Sequence, residues 1–466
     1  MKINTQNIAT KVFFLFSFLF FLKGNAQDNN DCWDKVRACG NLTMLITPSL
    51  QHWAVGSNGT GVYGTGQFYS YYIPTQGVTS TWADIQTSSL FALAIKTNGT
   101  LWGWGSNYYY SLASTTTNLT LSPTQIGTAN NWNKISTGND YALAIKSDGT
   151  LWGWGHNNFH QLGIGSTTNL STITQLGTDT NWSKISAGLE GSLAIKTDGT
   201  LWGWGHNSVS SLGVASPLEI NTITQIGTAN DWKEIERQNG FYSVGLKTDG
   251  TLWAAGHNTH GQLGDNTTTT RTSFVKIGTD TDWKSIAIGY YTTYAIKNNG
   301  TLWAWGNNQL GQVGDGTNTD RYTPTQIGTD TNWESIAAGN FHAVALKTDG
   351  SLYTWGFNIS GQLGDGTQNN KNTPTLIACP YNNLNTENPT LINKVSIYPI
   401  PAQNTFTIET DNAIKNITAY DILGNQIEIK SLANKQYFIQ KHGIYFLNIE
   451  FDNSQSITKK IVICDK

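Results

Sequence analysis

The chain has 466 residues, enough for two or three domains, and 28 Lys plus Arg against 31 Asp plus Glu, a net charge of −3. Charged residues are only 13% while aromatics are 12%, with 48 Gly and 18 Trp. This excludes a coiled coil, which needs charged heptads, and a disordered chain, which lacks the rings to build a core. Residues 27–382 carry 17 basic and 23 acidic residues, so no nucleic-acid partner is expected for the main body.

Lys2 and Lys11 precede an apolar run from Val12 to Leu22, which Lys23 ends. The run is shorter than the roughly 20 residues a spanning helix needs. Gly24-Asn25-Ala26 then supplies small residues. This layout predicts a signal peptide over 1–26, cleaved between Ala26 and Gln27; the alternative is an uncleaved anchor helix. No Cys lies at that point to take a lipid, and no later segment is long and apolar enough to span a membrane. An exported protein can keep disulfides among its four Cys: Cys32, Cys39, Cys379 and Cys464.

From residue 33 onward one unit is repeated seven times. Trp33, Trp82, Trp132, Trp182, Trp232, Trp283 and Trp333 open the repeats at intervals of 49 to 51 residues. Gly56, Gly105, Gly155, Gly205, Gly256, Gly306 and Gly356 close a Trp-x-Trp-Gly element with the same period. All 18 Trp fall in three columns of this repeat.

Each repeat reads as four short strands. In the third they are Trp132–Gly138, Tyr141–Lys146, Thr150–Gly155 and Thr172–Leu176. Asp148-Gly149 is a hairpin signal that recurs in all but the first repeat. Four strands per unit and seven units predict an all-β, seven-bladed β-propeller over 27–382, whose closure removes open sheet edges.

The words Trp-x-x-Ile-x-x-Gly, Ala-Leu-Ala-Ile-Lys-x-Asp-Gly-Thr-Leu-Trp-x-Trp-Gly and Gly361-Gln-Leu-Gly-Asp-Gly-Thr367 resemble the regulator of chromosome condensation repeat. That resemblance implies a seven-bladed propeller. The family's founding member acts in nucleotide exchange on chromatin, roles that an exported, acidic body argues against. A plant light receptor of the family uses Gly-Trp-Arg-His-Thr, which does not occur here.

Ring closure bears on the cysteines. Cys379 takes the place of Thr329 in the preceding repeat, and Cys32 matches Asn332, three residues further on in a continuous chain. If repeat 7 meets repeat 1 as other neighbours meet, a Cys32–Cys379 bond staples the ring. Cys32 with Cys39, or unpaired thiols, are the alternatives.

Residues 383–394 read as a polar linker, and 395–466 as a small C-terminal β-sandwich with strands near 395–398, 405–409, 417–420, 443–449 and 457–463. Val395-Ser-Ile-Tyr-Pro-Ile-Pro-Ala402, Tyr420-Asp-Ile-Leu-Gly424, Gly443-Ile-Tyr445 and Thr458-Lys-Lys-Ile-Val462 resemble the C-terminal sorting domain of the type IX secretion system of Bacteroidetes. Ile400 departs from the Asn usual there. The resemblance implies the type IX machinery as partner, with release or surface attachment outside the outer membrane.

No catalytic or metal motif stands out, and no cofactor is expected. His156, His206 and His257 share one column with Ser57, Ser106, Asn307 and Phe357, an incomplete ligand set. The loops at Asp315 and Asp365 lack the alternating carboxylates of a calcium loop and read as turns. Glu190, Glu219, Glu234 and Glu236 each belong to a single repeat. Tyr69, Tyr71, Tyr72, Tyr108, Tyr109 and Tyr110 are possible contacts for a glycan or protein ligand in loops after the third strand; the alternative is blade-edge packing. The expected function is a secreted or surface binding propeller without catalysis. The runner-up is a glycan-active hydrolase or lyase, to be recognised by paired carboxylates at one end of the central channel.

Overall fold

The computed structural model describes residues 32–238, 240–379, 395–410, 413–421, 425–432, 435–452 and 456–463. Seven four-stranded antiparallel sheets follow one another, each made of four consecutive strands paired with their sequence neighbours. The third comprises Trp132–Thr137, Tyr141–Lys146, Leu151–Gly155 and Leu170–Gln175. Its outermost strand starts two residues before the sequence expectation, because pairing shifts register between Gly153 and Gly155 and resumes at Leu170. The first strand of every sheet touches the first strand of the next, and Trp333–Ala338 of the seventh touches Lys35–Cys39 of the first. The seven blades therefore close into a ring around an axial channel.

The antiparallel order fixes two faces. Connections from first to second and from third to fourth strand lie at one end, here the upper face. The second-to-third hairpins and the links to the next blade lie at the other.

On the lower face the repeat words act as a relay. Gly149 takes φ +78° to turn the hairpin. Thr150 donates its N–H (3.0 Å) and hydroxyl (2.6 Å) to Asp148 Oδ1, and its hydroxyl accepts the Trp152 indole N–H at 2.8 Å. The ring so fixed stacks on a cation: Lys146 Nζ lies 3.8 Å from the Trp152 centroid and 4.9 Å from that of Trp132. The arrangement recurs through blade 7, where Tyr353 replaces the second ring.

The other Trp of Trp-x-Trp-Gly joins blades. Trp154 and Trp204 are fully buried and donate their indole N–H to carbonyls of the preceding blade, Ser111 and Gln161, each at 2.8 Å. An apolar ring with a satisfied N–H is the form in which Trp suits an interior.

Blade 7 meets blade 1 without a chain crossing between them. Cys32 and Cys379 form a disulfide with Cα atoms 5.8 Å apart across a sequence separation of 347. Cys39 lies buried in the first strand of blade 1, outside that bond, and Cys464 falls outside the described residues. Trp33, Val36 and Leu45 pack against Val344, Leu346 and Ile377, and the Asn340 N–H donates to Gly40 O at 2.9 Å.

His342 completes this seam. It stands in the column of Tyr141 and Tyr242, whose hydroxyls donate to Gly191 O (2.8 Å) and Thr292 O (2.9 Å) of the next blade. His342 Nε2 lies 2.9 Å from Thr43 Oγ1 of blade 1. Burial pulls its pKa from 6.5 down to about 3. Because the folded value is depressed, the unfolded chain binds the extra proton between these limits, and stability falls as pH drops below 6.5. Acidification from pH 7 to 4 is expected to cost about 3 kcal/mol through this residue. Urea midpoints at the two pH values check this: His342→Gln removes that part of the acid sensitivity.

The C-terminal domain has eight strands in two sheets that share Ser396–Gln403. This strand pairs with Thr405–Glu409 through Tyr398, then in parallel with Ser456–Ile463 at Ala402. One core encloses Phe406 and Ile408 from one sheet and Leu447, Ile449 and Ile461 from the other. All five expected strands are present. Gln426–Ile427, Lys430–Ser431 and Gln436–Phe438 are additional, too short to show a period in the sequence. Among the described residues no helix is long and apolar enough to cross a membrane.

Candidate functional site

The upper face carries the chemistry that the repeat does not need for folding. In every blade the residue after the glycine that closes Trp-x-Trp-Gly donates its N–H to the carbonyl of the residue before the second strand: Ser57 to Asn41, Ser106 to Leu90, His156 to Asp140, His206 to Glu190, His257 to Phe241, Asn307 to Tyr291 and Phe357 to Phe341, at 2.8–3.0 Å. The backbone is the same seven times, while the side-chain pair differs from blade to blade.

Blades 3 and 4 present carboxylate–imidazole pairs. Glu190 Oε2 lies 2.8 Å from His206 Nδ1. Burial raises the Asp140 pKa against the pull of His156 and the hydrogen bond from Asn139. Burial lowers that of His156 against Asp140 and Glu190. His156 Nδ1 is also 3.1 Å from Gln161 Nε2. Below Glu190 lies the fully buried Arg237, which donates to Gly191 O (2.9 Å), His206 O (3.1 Å) and Ser211 Oγ (2.9 Å).

Blades 5 to 7 present aromatic rings. Tyr290 lies 4.5 Å from Tyr291, 5.7 Å from Phe341 and 6.4 Å from Phe241, centroid to centroid. His260 lies 5.1 Å from Tyr291 and has its Nδ1 2.9 Å from Asp320. A second arc crosses blades 2 to 4: Tyr108 to Tyr109 (4.9 Å), Tyr109 to His156 (4.3 Å), Phe159 to His206 (5.3 Å). Tyr108 is 68% exposed and the other rings of both arcs are half-buried, each with one side packed and another open.

The sequence candidates divide between places. Tyr109 and Tyr108 join the second arc, and Tyr110, half-buried at φ +65°, turns the loop beside them. Tyr69 is 66% exposed in the blade 1 loop. Tyr71 and Tyr72 begin the outermost strand Tyr71–Gln76 rather than lying in a loop. The Gln368 amide of blade 7 donates to the Tyr72 hydroxyl at 3.2 Å, placing this group at the seam. His156, His206 and His257 do share the upper face. Ala26 and Gln27 lie outside the described residues.

The Asp315 and Asp365 carboxylates are engaged in turns: Asp315 accepts from the Thr317 N–H and hydroxyl and, at 2.6 Å, from Arg321 Nε. Among the described residues no group of three or more His, Cys, Asp or Glu is arranged to hold a metal. One column escaped the sequence reading: Asn58, Asn107, Asn157, Asn207, Asn258, Asn308 and Asn358 are all buried. Asn258 shows their role, its Nδ2 donating to Thr267 O and Thr269 O and its Oδ1 accepting from the Leu263 N–H. Seven Asn in one register was the available signal. They make the upper loops rigid supports.

Glu234 and Glu236 stand two residues apart on Trp232–Glu236, the innermost strand of blade 5. Successive side chains alternate along a strand, so both point to one side. Glu236 lines an axial cavity of about 130 Å³ with Arg37, Gln86, Ser136 and Ser186. Burial lifts its pKa to about 8, Glu234 adds to the rise, and Arg37 and Lys184 oppose it.

Two models of one repeat decide the family. The regulator of chromosome condensation (RCC1) repeat matches residues 98–145, 148–195, 299–346 and 349–391. Its second form matches 82–111, 132–161, 182–210, 283–312 and 333–362, and together they span more than half of the chain. The chain belongs to the RCC1 repeat family.

Solved structures resemble this RCC1-repeat protein in fold. Human WBSCR16 is 18% identical with a TM-score of 0.64, over 71% of this chain and 94% of its own. Yeast RCC1 (Prp20), bound to Kap60, is 19% identical with a TM-score of 0.65, over 76% and 87%. Prp20p from Saccharomyces cerevisiae, described with its binding to Gsp1p and histones, gives 19% and 0.65 over 77% and 90%. No match was found among curated proteins. Residues 396–464 match the secretion system C-terminal sorting domain. That domain implies interaction with the type IX machinery and delivery to the outer-membrane surface or beyond.

Proposed function

We propose that this RCC1-repeat protein is a secreted or surface-displayed binding propeller that holds a protein or glycan ligand on its upper face without changing it. The observation that carries this reading is the graded upper face, where one backbone frame repeats while its side chains pass from acid–imidazole to aromatic pairs. Residues 1–26 serve as the export signal, cut between Ala26 and Gln27. Residues 27–382 act as the binding body, 383–394 as the linker and 395–466 as the sorting domain. Intact mass of the exported protein checks the first cut: an N-terminus at Gln27 is expected, and a retained Met1 overturns it.

The second reading, a glycan-active enzyme, draws on Glu234 and Glu236. Size opposes it. The cavity at Glu236, about 130 Å³, falls below the roughly 300–1,000 Å³ of ordinary ligand sites. The test is surface plasmon resonance of the full chain against immobilised polysaccharides and extracellular proteins. At least one is expected to bind saturably, with a loss of tenfold or more on converting both Tyr291 and Phe341 to Asp, and to be recovered intact. Binding that survives the double substitution, or a shortened analyte, overturns the reading.

A further inference from the structure

Resting on that reading of the upper face, we propose that its ligand is a neutral oligosaccharide chain, laid along the two arcs of rings and held by the carboxylate–imidazole pairs of blades 3 and 4. The arcs supply the stacking component. Tyr109, Phe159, Tyr291 and Phe341 each keep part of a ring open, and neighbouring rings follow at 4.3–6.4 Å. A pyranose has flat C–H faces that lie against such rings and an edge of hydroxyls that needs partners. Asp140 and Glu190 accept from hydroxyls, while the imidazole of His206 and the Tyr290 and Tyr291 hydroxyls both donate and accept.

Charge selects within this class. The upper connections, residues 57–70, 106–118, 156–169, 206–218, 257–270, 307–320 and 357–370 together with the short first-to-second turns, contain no Lys or Arg apart from Arg237 in the blade 5 turn. They are rich in Asn, Ser, Thr and Gln. Arg271, Arg321 and Lys371, which follow three of these connections, begin outermost strands and are paired to Asp265, Asp315 and Asp365, and Arg237 is buried. A uronate or sulfate chain would meet Asp140, Glu190, Glu219 and Asp320 with no unpaired Lys or Arg in these connections to answer it, a like-charge clash that rejects it. Position matters equally: the Asn column and the glycine closing each third strand, at φ +91° to +108°, hold the face before any ligand arrives, which lowers the cost of ordering it.

Titration calorimetry of the full chain with gluco-, xylo- and manno-hexaoses, with polygalacturonate and with polylysine tests this. At least one neutral hexaose is expected to bind, and polygalacturonate is not. Tyr291→Ala and Phe341→Ala are each expected to weaken the sugar about tenfold, the loss of roughly one aromatic contact. Asp140→Asn keeps the shape, guards against a folding defect, and should weaken it by a similar factor. Tyr322→Ala, on the rim, should leave it unchanged. Binding of polylysine or polygalacturonate in place of every neutral hexaose, lost with Tyr291→Ala, overturns the neutral-sugar ligand while leaving a ligand-binding upper face. Neutral-sugar binding that none of the face substitutions alters overturns both. No binding of any neutral hexaose overturns the proposal.

Discussion

Replacing Cys32 and Cys379 together by alanine is expected to lower the free energy of unfolding by about 5 kcal/mol. The bond joins positions 347 residues apart, and closing so long a loop removes more freedom from the unfolded chain than a short loop does. Six of the seven blade interfaces are also joined by continuous chain. The seventh relies on the packing of Trp33, Val36 and Leu45 on Val344, Leu346 and Ile377, on hydrogen bonds such as His342–Thr43, Asn340–Gly40 and Gln368–Tyr72, and on this disulfide. The double variant should therefore open first at the seam between blades 7 and 1. Urea titration reads the loss, and hydrogen exchange reads its place: amides of Lys35–Cys39 and Trp333–Ala338 should exchange sooner than those of Trp182–Ala187. An unchanged urea midpoint would sink the idea that the bond carries the closure.

Arg237→Thr is expected to destabilise the propeller by roughly 3 kcal/mol, because three acceptors lose a charged partner inside the fold. The reason for a buried arginine lies in its neighbour. Phe91, Tyr141 and Tyr242 begin the second strands of blades 2, 3 and 5, whereas blade 4 has Gly191 there. A Cβ on Gly191 would lie 2.9 Å from His206 O and 3.2 Å from Arg237 Cζ. Blade 5 thus sends Arg237 back into the space that a blade 4 tyrosine would have filled going forward. The pair Gly191→Tyr with Arg237→Thr restores the neighbouring pattern, since Thr87 and Thr137 hold the Arg237 column in blades 2 and 3. It should recover about 2 kcal/mol relative to Arg237→Thr alone, a coupling that denaturant unfolding of the four-member cycle measures. Simple addition of the two single effects would show that the residues do not share the space.

The exchange also probes the face above. Arg237 supports His206 through its carbonyl and stands by Glu190, which together with Tyr141 opposes the lowering of its pKa by burial. The doubly substituted protein should fold yet hold the Glu190–His206 pair less firmly, which broadening of the His206 ring resonances in NMR spectra reports.

Much of the architecture was legible because seven copies average out local ambiguity. A single Trp-Asn-Lys-Ile segment is weak as a strand signal, but its recurrence at Trp132, Trp182 and five other positions fixes period and count. The Asp-Gly-Thr word was read as a turn; that its Thr also takes the Trp152 indole N–H became visible only with side chains in place. The face was harder to read. Asp140 and His156 are 16 positions apart, and nothing local announces that one accepts the other's N–H. The sequence places the tyrosines near residue 70 with those near 108 in loops after the third strand, yet Tyr72 lies on the outermost strand and is tied across the seam to Gln368.

The sequence alone determined the repeat, its number, the ring and the C-terminal sorting domain, since these rest on periodic patterns that each short segment carries within itself. Only the tertiary structure decided which side chains share the upper face, why Arg237 is tolerated inside, and that Cys32 meets Cys379. Those depend on contacts between blades, and the seam joins residues from opposite ends of the array, a distance over which local propensity holds no information.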